Sequence, residues 1–385
     1  MHSAGLEKPT EQRFDGRRFQ ALVIGCGNPL CTRDITLGLV RGLQEIGAAV
    51  DFFDTLVKGV GGESSLLRQA ASARAAVAVH GRRIAPALVE RIRAAGTPTV
   101  LWATDDPHEI DDSARYGRHY DFVLTVERHA VEVHGTERSA WLPTAVDPAV
   151  YRPRSELFAL CSRTEASPAD RACRERRRQE ILVAGSLYPE RLRFLSEIGD
   201  WLLTKAVRII GPKRGQWYHR GLAELHEARC LTAEEMACYV AGSRLVLDIP
   251  RDPFRSAFGQ TNRRGVRASG CGPRCFQVPA AGAVLATSSD RADVFEHFDR
   301  SEVLIYDGPQ DFAAQAERLL GDRSRWCAMV EKSRRTVLTR HTYAERARAL
   351  VDILEKRVFP AARRGTTAFV TPGRATAACE SSAVF

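Results

Sequence analysis

The stretch EILVAGSLYPERLRFL, residues 180–195, decides the fold. Residues 180–185 form an apolar run of strand length. Gly185 and Ser186 make a turn. Pro189 then opens a segment in which Leu192 and Leu195 recur at helical spacing. A strand that passes through a short turn into a helix is the building unit of a parallel sheet.

Working outward, the same unit recurs on both sides. Downstream, strands are expected at 206–211, 244–249, 283–288 and 302–307. Helices are expected at 190–203, 216–227, 232–241, 274–281, 309–320 and 323–358, the last broken near His341. Upstream, strands fit 19–25, 49–54, 75–80, 99–104, 121–126 and 140–145, with helices at 34–46, 64–73 and 85–95. Right-handed crossovers turn each series into a doubly wound α/β domain. The 385 residues therefore divide into a flexible N-terminus (1–17), a Rossmann-like domain (18–151), a linker (152–178), a second Rossmann-like domain (179–358) and a disordered tail (359–385). The linker is polar, with an Arg-rich run from Arg171 to Arg178, and the tail is rich in Ala, Thr, Ser and Gly.

Composition excludes several classes. Hydrophobic residues make up 44% and charged residues 27%, so the chain is neither collagenous nor disordered. The net charge of +9 comes from six lysines and fifty arginines, a bias that fits a GC-rich bacterial genome. It is not organised into an aromatic-interleaved basic stripe, so nucleic acid is not expected as a partner. The first residues lack the apolar core of a signal peptide, and no apolar run approaches the roughly 18 residues of a membrane span. A cytoplasmic protein is expected. Its ten cysteines show no C-x-x-C pair and no zinc-finger spacing, so reduced thiols and no metal are expected.

In tandem α/β domains, ligands bind in the cleft at the carboxyl ends of the strands. Gly25-Cys26-Gly27-Asn28-Pro29-Leu30 begins like a dinucleotide fingerprint but lacks its third glycine, which disfavours a nicotinamide cofactor. Gly27 and Asn28 read instead as a tight turn beside an acceptor. His80 ends the third strand. After the fourth comes Thr104-Asp105-Asp106-Pro107-His108-Glu109. Adjacent carboxylates are costly to bury unless they bind something. Asp106-Pro107 is expected to cap a helix, leaving Asp105 free as a base. Asp106 and His108 are placed on the acceptor side, and Asp105 and His80 are the candidate catalytic groups. In the second domain, Gly185-Ser186 ahead of a helix makes an anion site, to which Arg191 and Lys213 add charge. Arg274 and Gln277 fall three apart on one helix face.

These residues resemble a known family. VAGSLYPERLRFL (183–195), RLVLDIP (244–250), PRCFQVPAAGAVLAT (273–287) and HTYAERARALVDIL (341–354) are similar to the group 1 glycosyltransferase domain of CgeB-type, spore-maturation-like proteins. WATDDP (102–107), YDFVLTV (120–126) and WLPTAVDPAVYRP (141–153) resemble that family's N-terminal domain. The resemblance implies a GT-B fold, two Rossmann-like domains facing one cleft. It also implies transfer of a sugar from a nucleotide-diphosphate sugar, with no metal and no further cofactor.

On this reading Gly185, Ser186, Arg191, Lys213, Arg274 and Gln277 bind the donor. The family signature carries Glu where this chain has Gln277. An amide still bonds a hydroxyl but without the charge-assisted strength. The acceptor stays open between a small molecule, a natural product and a surface glycan, as do the stereochemical outcome and the oligomeric state, a homodimer included. The alternatives are a non-catalytic nucleotide- or sugar-binding protein and a sugar-nucleotide epimerase or hydrolase.

Overall fold

A computed structural model describes residues 19–25, 31–55, 62–153, 179–254 and 261–360. The expected N-terminal segment, nearly all of the linker and most of the tail lie outside these residues, as do Gly27 and Asn28.

The first sheet is parallel and six-stranded, in the order β2-β1-β3-β4-β5-β6. Its strands are β1 (Gln20–Gly25), β2 (Ala49–Asp54), β3 (Ala75–Val79), β4 (Thr99–Ala103), β5 (Phe122–Thr125) and β6 (Ser139–Trp141). The central strands β3, β4 and β5 are buried at every residue. Both faces of the sheet are covered, which is why these strands read as unbroken apolar runs. The helices of this half are α1 (Cys31–Glu45), α2 (Gly62–Ser72), α3 (Pro86–Ala94), α4 (Ile110–Gly117) and the short α5 (Val131–His134).

The second sheet runs β12-β11-β10-β7-β8-β9, again parallel and six-stranded. Its strands are β7 (Gln179–Ala184), β8 (Val207–Ile210), β9 (His226–Glu227), β10 (Ser243–Asp248), β11 (Val284–Ser288) and β12 (Leu304–Tyr306). Its helices are α6 (Pro189–Glu197), α7 (Gly199–Leu203), α8 (Arg220–Leu225), α9 (Ala233–Ala241), α10 (Arg274–Ala280), α11 (Val294–His297), α12 (Pro309–Gly321) and α13 (Arg323–Arg340). In place of the helix expected over 216–227 stand α8 and the two-residue edge strand β9.

The last helix, α14 (Tyr343–Ile353), departs from the domain boundaries read in the sequence. The chain breaks at His341, as expected, but then returns to the N-terminal domain. Tyr343, Ala347, Leu350, Val351, Leu354 and Val358 complete the core beneath β1 and α1. Gly38 and Gly42 make the close approach possible. A Cβ at Gly38 would lie 2.2 Å from the Tyr343 ring, and one at Gly42 would lie 2.3 Å from the Tyr343 carbonyl oxygen. Phe359, assigned from sequence to the tail, is buried against Phe19 with ring centroids 6.4 Å apart. The second domain's core therefore ends before α14, and the C-terminal segment ties the two halves together.

The domains also meet directly. The segment 261–272 runs from the second domain onto the first. Glu127, buried in the first, accepts from the Ser269 amide, the Ser269 hydroxyl and the Gly270 amide, each at 2.9 Å. Asp111 pairs with Arg263 at 3.3 Å and Arg264 at 3.5 Å. The Thr261 hydroxyl donates to the His108 carbonyl at 2.6 Å. No helix of the described residues is long and apolar enough to cross a membrane.

Candidate functional site

The carboxyl ends of both sheets bring most of the expected residues together. At the end of β7, Gly185 has φ +122°, a conformation that favours glycine. A Cβ there would stand 3.6 Å from Arg191 Nη1 and 3.7 Å from Arg274 Nη2, so two guanidinium groups converge on its bare face. Both are held in place by backbone. Arg191, in the first turn of α6, donates to the Ser186 carbonyl at 2.9 Å. Arg274, opening α10, donates to the Ala184 carbonyl at 2.5 Å.

Behind them Asp248, the last residue of β10, pairs with Arg291 at 3.1 Å. Burial opposes the Asp248 charge, but Arg291, Arg191 and Arg274 outweigh it and hold its carboxyl below the usual range. Arg191 is pushed down from the usual guanidinium range, by burial first and then by Arg274 and Arg291. Arg251 stacks on the Tyr188 ring at 4.8 Å. The cluster therefore carries more positive charge than Asp248 balances, in a partly desolvated place. That is the electrostatic setting of an anion site.

Lys213 adjoins the turn through its main chain. Its backbone bridges Leu187 while its side chain is exposed. The loop after β8 supports the Gly185 turn through its backbone.

On the first domain His80 follows β3 with φ +71°, in the left-handed region, and Gly81 follows it at +70°. The turn sets the imidazole between two carboxylates. Nδ1 lies 3.4 Å from Asp105 and Nε2 lies 3.9 Å from Glu109. Arg82 donates to Glu109 at 3.1 Å. Burial raises the Glu109 carboxyl and Asp105 adds to the rise, against the pull of His80, Arg82 and Arg251. Asp105 is half exposed, at 49%. His80, Asp105 and Glu109 each offer an atom within 4.8 Å of the others, so among the described residues they are the group able to hold a cation. Arg82 already partners one of its carboxylates.

Asp106 departs from expectation. It neither caps a helix nor reaches the cleft, because α4 begins only at Ile110. Its side chain is fully enclosed and accepts from the Ser113 hydroxyl at 2.5 Å and the Thr125 hydroxyl at 2.8 Å, with His134 Nε2 also at 2.8 Å. This carboxylate fastens β5, α4 and α5 together. His108, also placed beside the acceptor, is half-buried, and its enclosed Nδ1 has no hydrogen-bond partner. Burial, then Arg251, Arg291 and Arg191, lower it to about 3. His108 is thus a neutral imidazole of the first domain set against the arginines of the second. Arg251 acts on both His108 and Glu109, so the two clusters adjoin.

Gln277 lies one turn after Arg274 and crosses the cleft. Its Nε2 donates to Asp34 of α1 at 2.9 Å, and the Tyr151 hydroxyl donates to the same carboxylate oxygen at 3.2 Å. Sequence reading missed Asp34, Glu109, Asp248, Arg251 and Arg291. For three of these the signal was present. Asp248 ends β10, and Arg251 and Arg291 follow strands, where the search was already directed.

A family model described as glycosyl transferase-like matches residues 191–352. The spore protein CgeB of Bacillus subtilis (strain 168) is 23% identical over 226 residues, 57% of this chain, and the chain spans 63% of that protein's length. An alpha-glucosyltransferase in complex with UDP superposes with TM-score 0.59 at 8% identity, over 88% of this chain and 99% of its own. The Anabaena protein HepE in complex with UDP and glucose gives 0.52 at 10% identity, over 88% and 99%. The resemblance read from the sequence extends to these matches: the chain is similar to CgeB over the matched part and has the GT-B fold of the glycosyltransferases it superposes on.

Proposed function

We propose that this protein transfers a glycosyl group from a nucleoside-diphosphate sugar to an acceptor hydroxyl or other nucleophile, without a metal or cofactor. The convergence of Arg191 and Arg274 on the bare face of Gly185 carries the reading. A diphosphate lying there would meet the N-terminus of α6 and two anchored guanidinium groups, and both grow more favourable as negative charge builds on the leaving group. Arg291 reinforces this field through Asp248. These fixed cations take the charge-stabilising part that a divalent ion plays elsewhere.

The acceptor would dock against the first domain. Its nucleophile forms a bond to the anomeric carbon, the bond from that carbon to the phosphate oxygen breaks, and the diphosphate keeps the electron pair. Asp105, half exposed and beside His80, receives the acceptor proton directly or through the imidazole. The two fold neighbours holding UDP make a uridine nucleotide the first donor to try.

Gln277 favours one other reading, a shell that binds nucleotide without transfer. Donor turnover over an acceptor panel decides between the two.

The test is a thermal-shift titration with UDP, GDP, ADP and TDP. At least one should raise the melting temperature, and Arg191→Ala should lower its affinity by on the order of tenfold or more. Indifference of the wild-type protein to all four would sink the donor site.

A further inference from the structure

His80 carries an imidazole that neither neighbouring carboxylate satisfies. Its side chain is only 9% exposed. Nδ1 faces Asp105 at 3.4 Å and Nε2 faces Glu109 at 3.9 Å. Both separations exceed the roughly 2.7–3.2 Å of an N–H···O bond. The ring therefore points at two carboxylates and hydrogen-bonds to neither. Ligand atoms about 2.0–2.2 Å from a zinc-like ion stand roughly 3.3–3.6 Å apart. The spacing of His80 and Asp105 is already of that kind. The ligand atoms of His80, Asp105 and Glu109 all lie within 4.8 Å of one another, so a small turn of the Glu109 chain completes the set.

Charge and access agree. Burial raises the Glu109 carboxyl, and Asp105 adds to the rise. Arg82 Nη1 reaches both Glu109 oxygens, at 3.1 and 3.3 Å, while the ion pairs of Asp105 with described residues stop at His80. His80 and Glu109 are enclosed and Asp105 is half exposed, so the group opens on the Asp105 side.

We infer that His80, Asp105 and Glu109 form a binding site for a divalent transition-metal ion, with one imidazole nitrogen and one oxygen of each carboxylate as its ligands. Two carboxylates balance the charge of the ion, and the imidazole selects zinc- or manganese-type ions over magnesium. Arg82 keeps the other Glu109 oxygen, as an outer partner that orients a ligand. This site does not depend on the donor reading. The transfer proposed above does without an ion, and an ion held here competes with the acceptor proton for Asp105. It acts as a brake on that reaction and not as its cofactor.

The test is calorimetric titration of the chelator-treated full chain with Mn2+, Zn2+ and Mg2+. Mn2+ is the main probe, because the ten cysteines offer thiolates that prefer softer ions. The wild type should bind one Mn2+, bind Zn2+ more tightly, and hold Mg2+ more weakly than Mn2+ by on the order of tenfold. His80→Asn removes the imidazole but keeps a residue that tolerates the left-handed backbone at φ +71°. It and Glu109→Gln should each weaken Mn2+ by on the order of 100-fold. His119→Ala removes an imidazole–carboxylate pair elsewhere, 2.7 Å from Glu90, and should bind as the wild type does. A cooperative unfolding transition in chelator shows that each variant is folded. Failure of the wild type to bind Mn2+ or Zn2+, or unchanged Mn2+ affinity in His80→Asn or Glu109→Gln, would overturn the inference. Mg2+ bound as tightly as Mn2+ would reduce the group to an acidic patch and overturn it too. None of these outcomes touches the nucleotide thermal shift, which tests the donor site separately.

Discussion

The strand-end loops of the two domains are built from opposite charges and differ in what burial has done to them. In the second domain, Arg191, Arg274 and Arg291 surround one acid, Asp248, and each guanidinium is anchored to a carbonyl or to that carboxylate. In the first, Asp105, Glu109 and the enclosed Asp106 surround His80 and His134. The basic cluster is fixed and partly desolvated, which suits a charge that appears at one place in every turnover. The acidic cluster is split. One carboxylate is locked away from solvent and another is left half exposed. The difference teaches that adjacent residues of one motif can divide into scaffold and chemistry, and that only packing says which is which.

Asp106→Ala probes the scaffold half and should give the largest effect. It strips a hydrogen-bond partner from two buried hydroxyls and the His134 imidazole at once. A loss of about 3 kcal/mol in unfolding free energy is expected from chemical denaturation. A loss under about 0.5 kcal/mol, the range of an ordinary surface substitution, would mean that the network is not what holds α4 and α5 to β5.

Asp105→Asn probes the other half. Its side chain is half exposed, so stability should stay within about 0.5 kcal/mol of wild type. Turnover with the identified donor and acceptor should fall by about 100-fold if this carboxylate takes the proton, with nucleotide affinity unchanged. Full turnover would move the proton to His80 or Glu109, or remove the need for a protein base.

The sheets were legible because buried parallel strands are continuous apolar runs, and most begin and end within a residue or two of where the sequence places them. α4 escaped because Ile110–Gly117 offers the core only Ile110, Ser113 and Gly117, too little apolar surface for helical periodicity to register. The Tyr343–Ile353 helix was visible, but its destination was not. Spacing reveals that Tyr343, Ala347 and Leu350 share a buried face, not which sheet that face meets. The site was half legible for a related reason. Arg191 and Arg274 stand where the strand-end rule looks, beside glycine turns. Asp106 was misread because Asp-Pro has the form of a helix start, and the buried hydroxyls that claim it come from Ser113 and Thr125, distant in sequence. Asp34 offered no signal, since its importance comes from a contact 243 positions away.

Asp34 provides the smallest effect and tests whether the comparison extends beyond the two loops. Its carboxyl is raised from 3.8 to about 6 in the folded protein. The folded state therefore binds the proton more tightly than the unfolded chain, so stability is expected to fall as pH rises between those two values. The cost is absent below pH 3.8, accumulates up to about 6 and is complete above it. Asn cannot ionise. Asp34→Asn should therefore be more stable than wild type at pH 8, by on the order of 2 kcal/mol for a shift of this size in a mostly buried group. The advantage should shrink through pH 6 and vanish near pH 4. Thermal or urea unfolding of both proteins across that range gives the answer. An Asn variant less stable than wild type at pH 8 would show that Tyr151 and Gln277 hold the carboxylate as firmly as the Asp106 network holds its own, and would make Asp34 scaffold. A more stable one would mark it as a carboxylate kept against the interest of the fold, unlike either Asp106 or the stability-neutral Asp105.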